Sequence, residues 1–152
     1  MSYTTAHYAL FTRGDARAAE TVFIHGASGS VGTSAVQLAK RAGLTVIGSG
    51  ETAKGLELIL SAGADHAVDN TSQGYLDEVR RLTNDKGPEL ILEMLANINL
   101  SADMDLAAKY GRLIIIGNRG EITLTSPLAM MKEPDIRGIQ HWTTNREPIK
   151  PL

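Results

Sequence analysis

The stretch TVFIHGASGSVGTSAVQLAKRAGLTVIGSGE, residues 21–51, decides the fold. TVFIH (21–25) is β-branched and aromatic and stops at a glycine, the pattern of a strand. Between Thr33 and Ala42, the residues Val36, Ala39 and Ala42 recur at helical spacing, with Ala35 and Leu38 beside them. Gly43 then ends the helix. LTVIGS (44–49) is a second strand. Gly26, Gly29 and Gly32 stand three residues apart in the turn and the start of the helix, so the unit is strand, glycine-rich turn, helix, strand.

The alternation continues outward. Leu56, Ile59 and Leu60 carry a helical stripe that ends at Gly63, and HAVDN (66–70) is a short third strand. Tyr75, Leu76, Val79 and Leu82 mark the next helix, closed by Gly87 and Pro88, and ELILEML (89–95) is the fourth strand. SADMDLAAKY (101–110) reads as a helix capped by Ser101, and RLIIIG (112–117) as the fifth strand. Ser126 and Pro127 read as the cap and first turn of a short helix that Pro134 ends, and DIRGIQHW (135–142) as a sixth, edge strand. Apolar strands alternating with helices predict an α/β fold, a doubly wound parallel sheet of five or six strands with helices on both faces. The expected strand order is 3-2-1-4-5, with a sixth, edge strand possible.

Composition narrows the function. The 152 residues suit one domain, and 43% apolar content suits a packed core. With 15 basic against 17 acidic residues, the net charge of -2 favours neither a nucleic-acid backbone nor an anionic membrane. Cysteine is absent, which excludes disulfides and thiolate metal sites. No basic region precedes an apolar run near the N-terminus, and the aliphatic run 113–116 falls far short of the ~20 residues of a bilayer span. The expected location is cytoplasmic.

In a doubly wound fold the first strand–turn–helix is where a pyrophosphate binds. The helix starting near Val31 leaves main-chain N–H groups unpaired, and its dipole adds partial positive charge. In HGASGSVG, Ala27 holds the place of the first glycine of G-x-G-x-x-G. Gly29 allows the ligand's close approach, and Gly32 lets the helix pack on the first strand. Ser28 and Ser30 add hydroxyl donors. A glycine turn with no ligand is the alternative.

Together with HGASGSVG and KGLELILSAGADHAV, the segments EMLANINL (93–100) and GRLIIIGNRG (111–120) closely resemble the zeta-crystallin group of NADPH:quinone oxidoreductases. That group lies in the zinc-free branch of the medium-chain dehydrogenase/reductase superfamily. The resemblance runs from about Tyr3 to about Gln140 and covers the coenzyme-binding domain, with no counterpart of the family's GroES-like catalytic domain. It implies a dinucleotide-binding domain over 1–140 and a divergent or truncated tail over 141–152. It also implies hydride transfer from nicotinamide to a quinone or enone, with little turnover by this domain alone and no catalytic residue assigned within it. Matched one at a time, Ser28, Gly29, Ser30 and Val31 correspond to the pyrophosphate cradle. Asn99 corresponds to a contact with the nicotinamide half, and Ile116, Gly117, Asn118 and Arg119 to a further contact loop.

The departures cluster at the adenosine ribose. Glu51 replaces a glycine of the relatives, and Asn70 and Thr71 stand where relatives carry His or Tyr and then Arg. A carboxylate at Glu51 accepts from a free 2′-OH and repels a 2′-phosphate, while Lys54, Ser49 and Ser72 favour one. NADPH is the expected cofactor, with NADH as the alternative. The runner-up function is a non-catalytic nucleotide- or RNA-binding protein, against which the charge counts. A homodimer through the last strand is expected from the superfamily.

Other residues read as structural. His25 is expected to be hydrogen-bonded at a strand end, and His7, His66 and His141 lack ligand spacing, so no metal is expected. Asp103 and Asp105 read as a solvated helix face. Met130 and Met131 read as packing residues. Tyr75 and Trp142 read as core or interface.

Overall fold

The computed structural model describes residues 1–140; the expectations for the tail, His141 and Trp142 lie outside the described residues. Six parallel strands form one sheet: β1 (Thr21–Ile24), β2 (Thr45–Gly50), β3 (His66–Asp69), β4 (Leu90–Glu93), β5 (Arg112–Ile115) and β6 (Asp135–Gly138). Their order is β3-β2-β1-β4-β5-β6, as expected with the sixth strand at the edge. The direction of winding reverses between β1 and β4, where Ile24 sits in register with Leu92.

Strand alternation builds a core on each face. Val22, Ile24, Val46, Leu90, Leu92 and Ile114 pack on one side with α1 (Ser2–His7) and α2 (Ser30–Arg41). Phe23, Ile47, Val68, Ile91 and Leu113 pack on the other with α4 (Tyr75–Leu82) and α5 (Ala96–Leu106). α3 (Ala53–Ser61) adds Ile59 to the first core. Full burial of each such side chain contributes roughly 1.5–3 kcal/mol, which explains apolar strands with no polar face. No helix among the described residues is long and apolar enough to cross a membrane.

Three local expectations are corrected. The helix expected at 101–110 is α5, which starts at Ala96 and ends at Leu106, so Ser101 lies inside it. Its real start has no side-chain cap, and the Leu95 N–H is taken by Glu93 Oε1 at 2.8 Å. α6 (Ser126–Lys132) is capped in position by Thr125, making Ser126 its first residue. Met130 and Met131 are 78% and 67% exposed, so they do not pack within the described fold.

Arg112 ties the chain's beginning to the sheet. Its Nε donates to the Gly14 carbonyl at 2.7 Å, and its two terminal nitrogens donate to Glu20 at 2.9 and 2.7 Å. Burial alone raises the Glu20 carboxyl, yet Arg112 and the Arg17 amide hold it below its ordinary value. Removing one side of this enclosed two-pronged pair leaves the other charge uncompensated. Arg112→Met should therefore cost about 2–3 kcal/mol in urea unfolding, and an unchanged midpoint would show the pair to be neutral.

Candidate functional site

The carboxyl ends of β1 and β4 meet at the reversal of winding, where an α/β sheet leaves a crevice. A cavity of about 410 Å³ opens there, lined by His25, Gly26, Glu51, Asn70, Thr71, Tyr75, Met94, Leu95 and Asn99. Glu51, Asn70 and Asn99, which lie far apart in sequence, thus share one wall system.

The turn from β1 into α2 forms the adjoining rim. Gly26 takes φ +59° to reverse the chain, and its N–H donates to the Ser49 hydroxyl at 3.2 Å. Gly29 occupies the cap position of α2, and no side chain caps the helix. Ser30, Val31 and the residues behind them therefore begin a helix whose first amides lack a side-chain acceptor. Ser28 is half-buried, whereas Gly29 and Ser30 are exposed. Gly32 is buried where a Cβ would meet the backbone of Ala27 at 2.6 Å.

The loop after β5 closes the other side. The Gly117 carbonyl accepts from the Ala96 N–H at 3.1 Å, and the Arg119 N–H donates to Asn97 Oδ1 at 3.0 Å. Asn118 folds back on Gly120 through its side-chain amide. Ile116–Arg119 therefore packs against the start of α5, beside the cavity but outside its lining.

Sequence reasoning misses a cluster behind the cavity. His25 Nε2 lies 2.7 Å from Asp103 Oδ1 and 3.2 Å from Glu93 Oε2, with all three residues buried. The solvated face expected for Asp103 is therefore corrected. The earlier start of α5 turns it inward with Ala96, Leu100 and Met104, while Asp105 stays outside and pairs with Arg80. Glu93 shows in the sequence only as part of a strand. An acid inside the apolar stripe of α5 is the signal that the shorter helix conceals. The hydrogen-bonded role expected for His25 is borne out.

Glu93 binds more than His25. Its Oε1 accepts from the Leu95 N–H at 2.8 Å and from Asn99 Nδ2 at 3.2 Å. Burial, followed by the hydrogen bond to Asp103, pushes its carboxyl up to about 8. Burial likewise raises Asp103 to about 6 and holds His25 below its ordinary value. Two carboxyls in contact out of water cannot both ionise cheaply. Burial thus favours the protonated form of the acids and the neutral form of His25.

Residues 30–149 match the zinc-binding dehydrogenase family. The chain belongs to that family. The chain is 37% identical to human quinone oxidoreductase over 97% of its own length and 45% of the human protein's. It is 40% identical to the rat quinone oxidoreductase over the same shares. It thus spans about half the length of these curated relatives. Its fold matches the quinone oxidoreductase from Thermus thermophilus, solved also in complex with NADPH. The TM-score is 0.84 at 29% identity, covering 97% of this chain and 46% of that one. The resemblance read from the sequence is borne out.

Zinc does not fit this dehydrogenase-family chain's best donor group. The sequence has no cysteine, and His25, Glu93 and Asp103 are the one group of three candidate donors among the described residues. Two donors on tetrahedral zinc at ~2.0 Å stand about 3.3 Å apart. The 2.7 Å between His25 and Asp103 is a hydrogen-bond distance instead.

Proposed function

We propose that the chain is the coenzyme-binding part of an NADPH-dependent quinone oxidoreductase. The observation that carries this reading is the cavity at the β1–β4 reversal, flanked by an uncapped helix start and lined by Glu51, Asn70 and Asn99. The pyrophosphate would sit against the amides of Ser28–Val31, where neutral hydroxyls and a bare Gly29 leave room for it. Asn99 would face the nicotinamide half, with the loop Ile116, Gly117, Asn118 and Arg119 flanking it.

When bound, the dinucleotide supplies hydride to a quinone or enone, and this chain's residues hold and orient it. Relatives named as quinone oxidoreductases support that substrate class and give an RNA-binding function no support. The same reading extends to a homodimer joined through β6, whose outer edge pairs with no other strand among the described residues.

Glu51 sets the cost of a 2′-phosphate. It lines the cavity beside Asn70 and Thr71, and Asp69 lies in the same turn, accepting from the Thr71 N–H and hydroxyl at 2.9 and 2.6 Å. Calorimetric titration should detect NADPH binding, and Glu51→Gly should tighten NADPH about tenfold relative to NADH, ~1.4 kcal/mol. An unchanged ratio would remove Glu51 from cofactor choice. Binding of neither nucleotide to the folded chain would end the functional reading.

A further inference from the structure

We propose that His25, Glu93 and Asp103 form a buried proton-sharing cluster that positions Asn99 and the Leu95 amide for the dinucleotide, so that losing the shared proton weakens binding. The inference rests on the coenzyme reading above and goes further, assigning a positioning role and a pH response to three residues outside the matched contacts.

Hydrogen-bond accounting carries it. Glu93 Oε2 and Asp103 Oδ2 have no hydrogen-bond partner, although both side chains are completely buried. A carboxyl oxygen of each and a ring nitrogen of His25 nevertheless all lie within 4.8 Å of one another. One proton held between them gives each carboxyl a partner. A neutral His25 then donates from Nε2 to Asp103 Oδ1, and Glu93 Oε1 remains free to accept from Leu95 and Asn99. Such a network is complete with a single negative charge, and buried polar networks hold their geometry when every member is satisfied.

The consequence reaches the cavity wall directly. His25, Leu95 and Asn99 all line it. Removing the shared proton leaves two adjoining carboxylates in a site closed to water and drives them apart. It also puts a second negative charge behind a surface meant for an anionic ligand. Both effects oppose binding, and by linkage a bound dinucleotide must raise the cluster's proton affinity. Tyr75 faces the cluster from α4. Burial first, and then the Asp103 and Glu93 charges, raise its phenol from an ordinary value of 10.0, so it does not titrate near neutrality.

The test is binding against pH with NADH, which carries no 2′-phosphate. The dissociation constant should rise about tenfold between about pH 7 and 9, with net proton uptake on binding seen calorimetrically in buffers of different ionisation enthalpy. Glu93→Gln can still donate to Asp103 and accept from Leu95 and Asn99, but it cannot ionise. Its binding should be flat with pH. Thermal unfolding without nucleotide provides the separate readout. Glu93 is raised in the fold, so its contribution to stability is fully present below its ordinary 4.5, is lost progressively as pH rises, and is gone above about 8. His25, held below 6.5, acts in the opposite direction at lower pH, which leaves about pH 7–9 as the clean window. Wild-type melting should fall across it, and Glu93→Gln should not.

Failure of NADH and NADPH alike to bind, with the melting profile as described, would sink the coenzyme reading and keep the shared proton. Binding that ignores pH, or a pH response surviving in Glu93→Gln, would overturn the cluster's role. So would stoichiometric zinc that stabilises the wild type and not Glu93→Gln, since the site would then hold a metal.

Discussion

Gly29→Asp should weaken dinucleotide binding about a hundredfold, ~2.7 kcal/mol, while leaving the fold as stable as before or slightly more stable. The two effects separate because of where Gly29 sits. Its φ of -74° and ψ of 174° are open to any L-residue, and an added Cβ would come no closer than 3.4 Å to the Gly26 carbonyl oxygen. The residue occupies the cap position of α2, where glycine provides no side-chain acceptor and aspartate is among the favoured residues. An aspartate carboxylate would accept from the first helical amides and lie against the positive end of the helix dipole.

Those same amides are the ones a pyrophosphate would use. The new side chain fills the anion site with its own charge, so the ligand loses its donors and meets a repulsion. Titration of NADPH into the variant, beside a urea unfolding curve, measures both quantities. Equal affinity in a well-folded variant would mean that the phosphates lie elsewhere. A poorly folded variant would mean that the turn tolerates less than its dihedrals imply.

The sheet is legible because buried parallel strands carry their signal in every residue. TVFIH and RLIIIG need no partner information to be read as strands, and their order follows from right-handed crossovers between them. The glycine turn is legible for a related reason, since its spacing answers to a helix start and a close approach. What stays hidden is polar and long-range. Glu93 sits in an apolar strand where one acid reads as noise, and its partners come from the end of β1 and from α5 and its approach. Asp103 depends on helix register. Starting α5 at Ser101, the residue with cap chemistry, leaves Asp103 outside any visible stripe; starting it at Ala96 places the acid three residues after buried Leu100. The true start lacks a capping side chain, and Glu93, just upstream, takes the Leu95 amide instead.

Gly32 should respond in the opposite way to Gly29, although the two lie within one turn of each other. Gly32→Ala would gain up to ~1 kcal/mol if helix propensity alone decided the outcome, because Gly32 lies in the first turn of α2. Packing decides otherwise. The added Cβ would collide with the Gly26 carbonyl oxygen and stand 2.6 Å from Ala27 Cα and 2.9 Å from the Ala27 carbonyl carbon. All three are backbone atoms of the turn, so no side chain can rotate away. The helix must lift from the β1 turn, disturbing the contacts of buried Ala35, Val36 and Ala39 with the sheet. Overpacking of this kind typically costs roughly 1–3 kcal/mol, and an immobile backbone places the expected net loss near the top of that range, about 3 kcal/mol. Nucleotide affinity should fall as well in whatever fraction stays folded, because lifting α2 moves the amides that would hold the phosphates. Denaturant unfolding of Gly32→Ala decides between the two physical terms: stability equal to or above the wild type would mean that α2 does not lie as close to β1 as its glycine implies.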